Sequence, residues 1–64
     1  MIYIRQFWQT LPDYRSLETN RSETLPYKGD RIRLGDRDYI VTGATFLDTI
    51  GEIRVYRIWV ILVA

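Results

Sequence analysis

The chain has 64 residues, with nine basic and eight acidic side chains, no cysteine and no histidine. That composition excludes disulfides and thiolate metal sites, and it removes the commonest transition-metal ligand and the usual general base at neutral pH. A domain this short buries only about 60% of its unfolded surface, so it needs good packing or a second copy, and a net charge of +1 gives no drive toward duplex nucleic acid or an anionic membrane.

Met1 leads directly into Ile2-Tyr3-Ile4-Arg5 with no basic leader segment, so a cytoplasmic protein is expected. Residues 1–11 read as a first strand. Ile2, Ile4 and Trp8 fall on one parity, Tyr3, Phe7 and Leu11 on the other, and β-branched and aromatic residues dominate. Pro12 ends it, because proline cannot donate to a ladder. Residues 12–26 then turn polar and sustain no period, so a long polar loop is expected there. Tyr14 and Leu17 allow one helical turn, and Asn20-Arg21 allows a polar hairpin.

Residues 30–42 carry the clearest local signal, a hairpin turning at Gly35-Asp36. A two-residue loop sets Leu34 opposite Arg37, Arg33 opposite Asp38 and Ile32 opposite Tyr39. That register gathers Ile32, Leu34, Tyr39 and Val41 on one face. It also makes an Arg33–Asp38 charge pair worth a few tenths of a kcal/mol. Gly43 is expected to break the run before a short strand Ala44–Leu47. Asp48-Thr49-Ile50-Gly51 fits a three-residue hairpin loop, which sets Leu47 opposite Ile53 and Phe46 opposite Arg54.

The last strand, Ile53 to Val63, alternates at first and then stops alternating. Ile58 through Ala64 are all apolar, so both faces of that half are expected to be covered. Three arrangements would cover them: the domain's own core, a second copy meeting Ile58, Trp59, Val60, Ile61, Leu62 and Val63, or a partner's sheet edge that this strand augments. The homo-oligomer is the leading expectation. Seven residues are too few for a spanning helix, which takes about 20. Taken together, residues 1–64 predict a single all-β domain. It is a small five-stranded barrel or strongly bent antiparallel sheet, of SH3-like or OB-like size, with a long polar loop after the first strand.

No phosphate-loop, nucleophile or metal-ligand spacing is present, so no catalytic residue, metal or cofactor is expected. Most carboxylates sit beside turn glycines or arginines, where they serve turns and charge pairs. The nine aromatics, with eight arginines against one lysine, admit two readings. In one, Tyr27, Lys28, Arg31 and Arg33, joined by Arg15 and Arg21, form a binding patch for a partner or a small anion, with Arg54 or Arg57 able to join. In the other, Tyr39, Phe46 and Trp59 are core and the arginines are a solvated face.

The stretch Pro26-x-x-Gly29-Asp30-x-Ile32-x-Leu34-Gly35-Asp36-x-x-Tyr39-x-Val41 resembles short all-β proteins encoded by bacteriophages and other mobile elements. In those, a proline and a Gly-Asp turn introduce a hairpin ending in a Tyr-x-Val strand. The resemblance spans residues 26–41 and implies an origin rather than a mechanism. Such proteins include inhibitors of host defence, proteins that sequester signalling nucleotides, and small head or tail completion barrels. The resulting expectation is a non-enzymatic binding protein that inhibits host defence by binding a host protein or a signalling nucleotide in the host cytoplasm. A head or tail assembly barrel of a phage particle is one alternative, and a single-stranded nucleic-acid binder the other.

Overall fold

The structure is a computed structural model and describes residues 1–63; Ala64, the end of the apolar run, lies outside the described residues. Five strands, β1 (Tyr3–Leu11), β2 (Arg15–Ser22), β3 (Arg31–Leu34), β4 (Arg37–Ile50) and β5 (Ile53–Leu62), form one sheet in the order β2-β1-β5-β4-β3. The sheet curls into a half-barrel. Its pairs are antiparallel except β1–β5, which is parallel. The sheet is therefore mixed, not purely antiparallel. The polar β2 takes the outer side of β1, and the inner side is left for the apolar β5, which arrives in the same direction. Among the described residues no helix is long and apolar enough to cross a membrane.

The predicted polar loop over 12–26 is replaced at its centre by β2. An edge strand pairs on one side and buries little, so it shows no apolar alternation. In β2 only Leu17, Asn20 and Ser22 are even half-buried. The true connections are Pro12–Tyr14, where the Leu11–Pro12 bond is cis, and residues 23–30. Arg5 secures the second one: its Nε donates to Asn20 Oδ1 at 2.9 Å and its Nη1 to the Thr24 carbonyl at 3.3 Å. Leu25 can then pack against the core.

Four β-bulges account for the curl. The pairings skip Leu17 in β2, Thr10 in β1, and Thr42 and Leu47 in β4. An extra residue on one strand bends it and increases the local twist. Two of the bulges flank the same stretch of β5 and are stitched to it. The Thr10 hydroxyl donates to the Val60 carbonyl at 3.3 Å, and the Thr42 hydroxyl to the Trp59 carbonyl at 3.2 Å. Each threonine thus replaces backbone pairing lost at its own bulge. Gly43 consequently does not end a strand: β4 passes through it and continues to Ile50.

Both hairpins turn over two residues, Gly35-Asp36 and Gly51-Glu52. Gly35 has φ 64° and Gly51 φ 62°, and no other residue type has positive φ among the described residues, which is the II′ pattern of glycine at the first turn position. The β3–β4 register is the predicted one, with Leu34 opposite Arg37, Arg33 opposite Asp38 and Ile32 opposite Tyr39. The β4–β5 register differs. The shorter turn and the Leu47 bulge set Ile50 opposite Ile53 and Phe46 opposite Tyr56.

Opposed residues share a face, so the pairings assign both sides of the sheet. Phe7, Tyr39, Val41, Ile58 and Val60 form the buried core on the concave side, flanked by Leu17, Leu25, Ile32, Leu34, Tyr56 and Leu62. Ile58 and Val60 are wholly inaccessible. The surface of 4350 Å² matches the roughly 4,300 Å² expected of a compact monomer of this size.

The turn glycines separate from the strand glycine in a testable way. Gly35→Ala should cost about 1 kcal/mol or more in urea unfolding, because alanine is strained at positive φ. Gly43→Ala should change stability by under about 0.5 kcal/mol, since a Cβ there meets only the Trp59 ring at an ordinary 4.0 Å.

Candidate functional site

The six residues of the predicted patch are not assembled in one place. Arg31 and Arg33 alternate with the inward Ile32 and Leu34, so they face the convex side. Both pair with Asp38, at 3.3 and 3.6 Å. Arg15 and Arg21 are on β2, at the opposite edge of the sheet from β3. Arg21 shares the convex face with Ile4, and Arg15 the concave face with Gln9. Tyr27 and Lys28 are exposed in the connection before β3. Tyr27 is pinned there by its N–H donating to Asp30 Oδ2 at 2.8 Å.

The C-terminal run divides by face. Ile58 and Val60 are core, and Leu62 packs beside them on the concave side. Trp59 and Ile61 are half-buried on the convex side, and the Val63 N–H donates to the Asp38 carbonyl at 2.9 Å. β5 is the middle strand, so both of its edges are occupied and it cannot augment a partner's sheet. Its outward side, Trp59 and Ile61, is what remains for any contact with a copy.

On the convex side the strand order builds a cluster that reasoning from the sequence missed. Trp8 of β1 lies opposite Trp59 of β5, and Gln6 opposite Arg57. The Arg57 guanidinium lies 4.7 Å from the Trp8 ring centre and 5.7 Å from that of Trp59. Tyr14 packs over both indoles, at 5.1 and 6.0 Å between ring centres, and is itself 61% exposed. The Trp59 indole N–H donates to Thr45 Oγ1 at 3.0 Å, which fixes that ring. Tyr14 is placed from beneath. Gln9, fully buried, donates from its amide to the Asp13 carbonyl at 3.0 Å and to Asp13 Oδ1 at 3.1 Å, and so holds the turn that carries Tyr14. Trp59 is thus a surface aromatic and not core, and Phe46 is 52% exposed, whereas Tyr39 is core as expected.

The concave side offers a second feature. Tyr56 meets Tyr3 and Phe46 edge-on, at 5.7 and 5.5 Å. Beside them is an open depression of about 550 Å³ with Tyr3, Glu23, Leu25, Pro26, Tyr27 and Ala44 on its walls. Tyr27 is the one predicted patch residue that reaches it.

A third feature is the free edge of β4. β3 pairs only with residues as far as Ile40, and Gly29 and Asp30 take the backbone groups of Val41. From Gly43 to Ile50, β4 is paired with β5 alone, and Phe46, Leu47 and Ile50 are exposed along it. No protein-family model, curated protein or solved structure matches the chain.

Removing the Tyr14 ring tests the convex cluster. Tyr14→Ala should lower stability by about 0.5–1.5 kcal/mol, the worth of an aromatic pair. It should also shift the tryptophan emission to the red, since both tryptophans of the chain lie beneath that ring.

Proposed function

We propose that this chain is a non-enzymatic interaction module that binds a partner protein by accepting an extended segment along the free edge of β4. The observation that carries this reading is the unpaired stretch Gly43–Ile50 with its exposed Phe46, Leu47 and Ile50. A strand edge presents a row of unsatisfied N–H and C=O groups, and edges that are meant to stay single are usually blunted by lysine, proline or several charges. Besides the bulge at Leu47, this one carries a single charge, Asp48, whose Oδ1 accepts the Thr49 N–H at 2.7 Å. The opposite edge, β2, reads Arg-Ser-Leu-Glu-Thr-Asn-Arg-Ser and is protected by polarity. An incoming strand gains main-chain hydrogen bonds from such an edge and side-chain contact from the apolar residues on it. The phage-type setting implied by the hairpin pattern gives the reading two homes: inhibition of a host defence protein in the host cytoplasm, or attachment to another subunit of a phage particle.

A second reading, a small anionic nucleotide held on the concave side, is favoured by the depression between Tyr3 and Tyr27. Its size falls in the usual range for a small-molecule site and its aromatic rings suit base stacking, while the Glu23 carboxylate on its wall opposes a phosphate and makes this the weaker reading.

Amide hydrogen exchange separates the two. A partner captured from host lysate should be lost by the double variant Leu47→Lys, Ile50→Lys, and in the purified complex new protection should cover residues 43–50. Protection confined to the region of Tyr3 and residues 23–27, appearing with a cyclic di- or trinucleotide, would replace the first reading by the second. Concentration-dependent protection of 43–50 in the protein alone would identify the added strand as that of a second copy.

A further inference from the structure

On the convex face, one strand in from the β4 edge, we infer that Arg57 and its aromatic walls form a receptor for a single carboxylate, presented by an acidic side chain of a protein partner. The starting point is an imbalance of charge. The ion pairs among the described residues are those of Arg31 and Arg33 with Asp38, so Arg57 has no carboxylate partner. Its one hydrogen bond is long, from Nη2 to Gln6 Oε1 at 3.4 Å, and its Nε is buried with no acceptor.

Covering two indoles from water does not need this arrangement. An alkyl stem or an apolar side chain would do it without burying an unpaired N–H, which is unfavourable. A guanidinium held against two indole rings is instead pre-organised. Its remaining donors sit in a fixed plane, and carboxylates accept from such a fork in bidentate fashion. The surroundings fit the same ligand. Along the sheet, Arg57 lies between Gln6 and Thr45, and Gln6 in turn lies opposite Thr19. The side chains in its own row are therefore uncharged, and Asp48, on the same face opposite Val55, makes no ion pair with it.

One unit of positive charge matches one carboxylate. A nucleic-acid strand is tracked by several cations along its phosphates, whereas on this face Arg31 and Arg33 are already paired with Asp38 and Arg21 lies two strands away on β2. Tryptophan, tyrosine and arginine are also the side chains most enriched where protein partners bind tightly.

Both tryptophans of the chain lie against Arg57, so their fluorescence reports on this cluster. The probes are a short alternating Gly-Glu peptide, its Gly-Gln counterpart, and an oligothymidylate. The acidic peptide should give a saturable change with a midpoint near or below about 1 mM, and the glutamine peptide none. Arg57→Gln should weaken the response at least about tenfold, as loss of a charge-assisted hydrogen bond implies. Gln6→Glu places a carboxylate of the chain itself beside Arg57. It should abolish the response while leaving the melting temperature unchanged or higher, so the test stands even if Arg57→Gln fails to fold. The β4 double variant Leu47→Lys, Ile50→Lys should respond as wild type, which separates this site from the edge reading. No response to the acidic peptide, an equal response to the glutamine peptide, a response to oligothymidylate alone, or an undiminished response in Gln6→Glu would each overturn the inference.

Discussion

The structure depends on the seating of β5 between β1 and β4. Of the strands in the sheet, it is the middle one, and from Ile58 to Ile61 it is apolar on both faces while it pairs with β1 and β4 at once. Ile58 and Val60, wholly inaccessible, meet Phe7 from one side and Val41 from the other, and that group is the centre of the core. Everything else follows from fitting a small sheet around this strand. The bulges at Thr10 and Thr42 sit on either side of Trp59 and Val60 and bend both neighbours about it. Their hydroxyls keep the β5 carbonyls satisfied at the places where the ladder is interrupted.

The parallel β1–β5 pair has a consequence for the surface. It brings Trp8 beside Trp59 and Gln6 beside Arg57, so the residues left on the convex side are large, aromatic and cationic. A closed barrel would have no free strand edge, but this half-barrel keeps two. One is the polar β2, and the other is the apolar stretch of β4 beyond Val41. The protein therefore presents different chemistry in different places: an arginine against two indoles on the convex face, an aromatic-walled depression on the concave face, and backbone groups along an edge. An interaction module can use several such surfaces at once, and none of them requires a reactive side chain.

How much of this was legible depended on how local each signal is. The β3–β4 hairpin could be read to the residue, because a turn glycine and a strict alternation sit within a dozen positions. The strand count of five was also legible, but for a partly wrong reason. Gly43 looked like a strand end when it follows a bulge, and residues 15–22 looked like a loop because an edge strand buries almost nothing. Bulges at Leu17 and Leu47 leave no mark in the sequence, since any residue can be the extra one. The candidate sites were less legible than the fold. Arg57 and Trp59 share a parity on β5, as Gln6 and Trp8 do on β1, so each half of the cluster was visible. Their adjacency rests on a parallel pairing across some fifty residues of chain, which no local pattern encodes. The predicted arginine patch failed as a unit for the same reason, because Arg15 and Arg21 belong to the far edge.

The central claim is that the core side of β5, at Ile58 and Val60, is covered by the chain's own residues. Residue-resolved amide hydrogen exchange, measured at two protein concentrations about a hundredfold apart, tests it most directly, because the slowest amides open only with the whole domain. The account predicts that the most protected amides lie between Val55 and Leu62 and that their protection is the same at both concentrations. Rapid exchange in that segment, or protection that disappears on dilution, would contradict it.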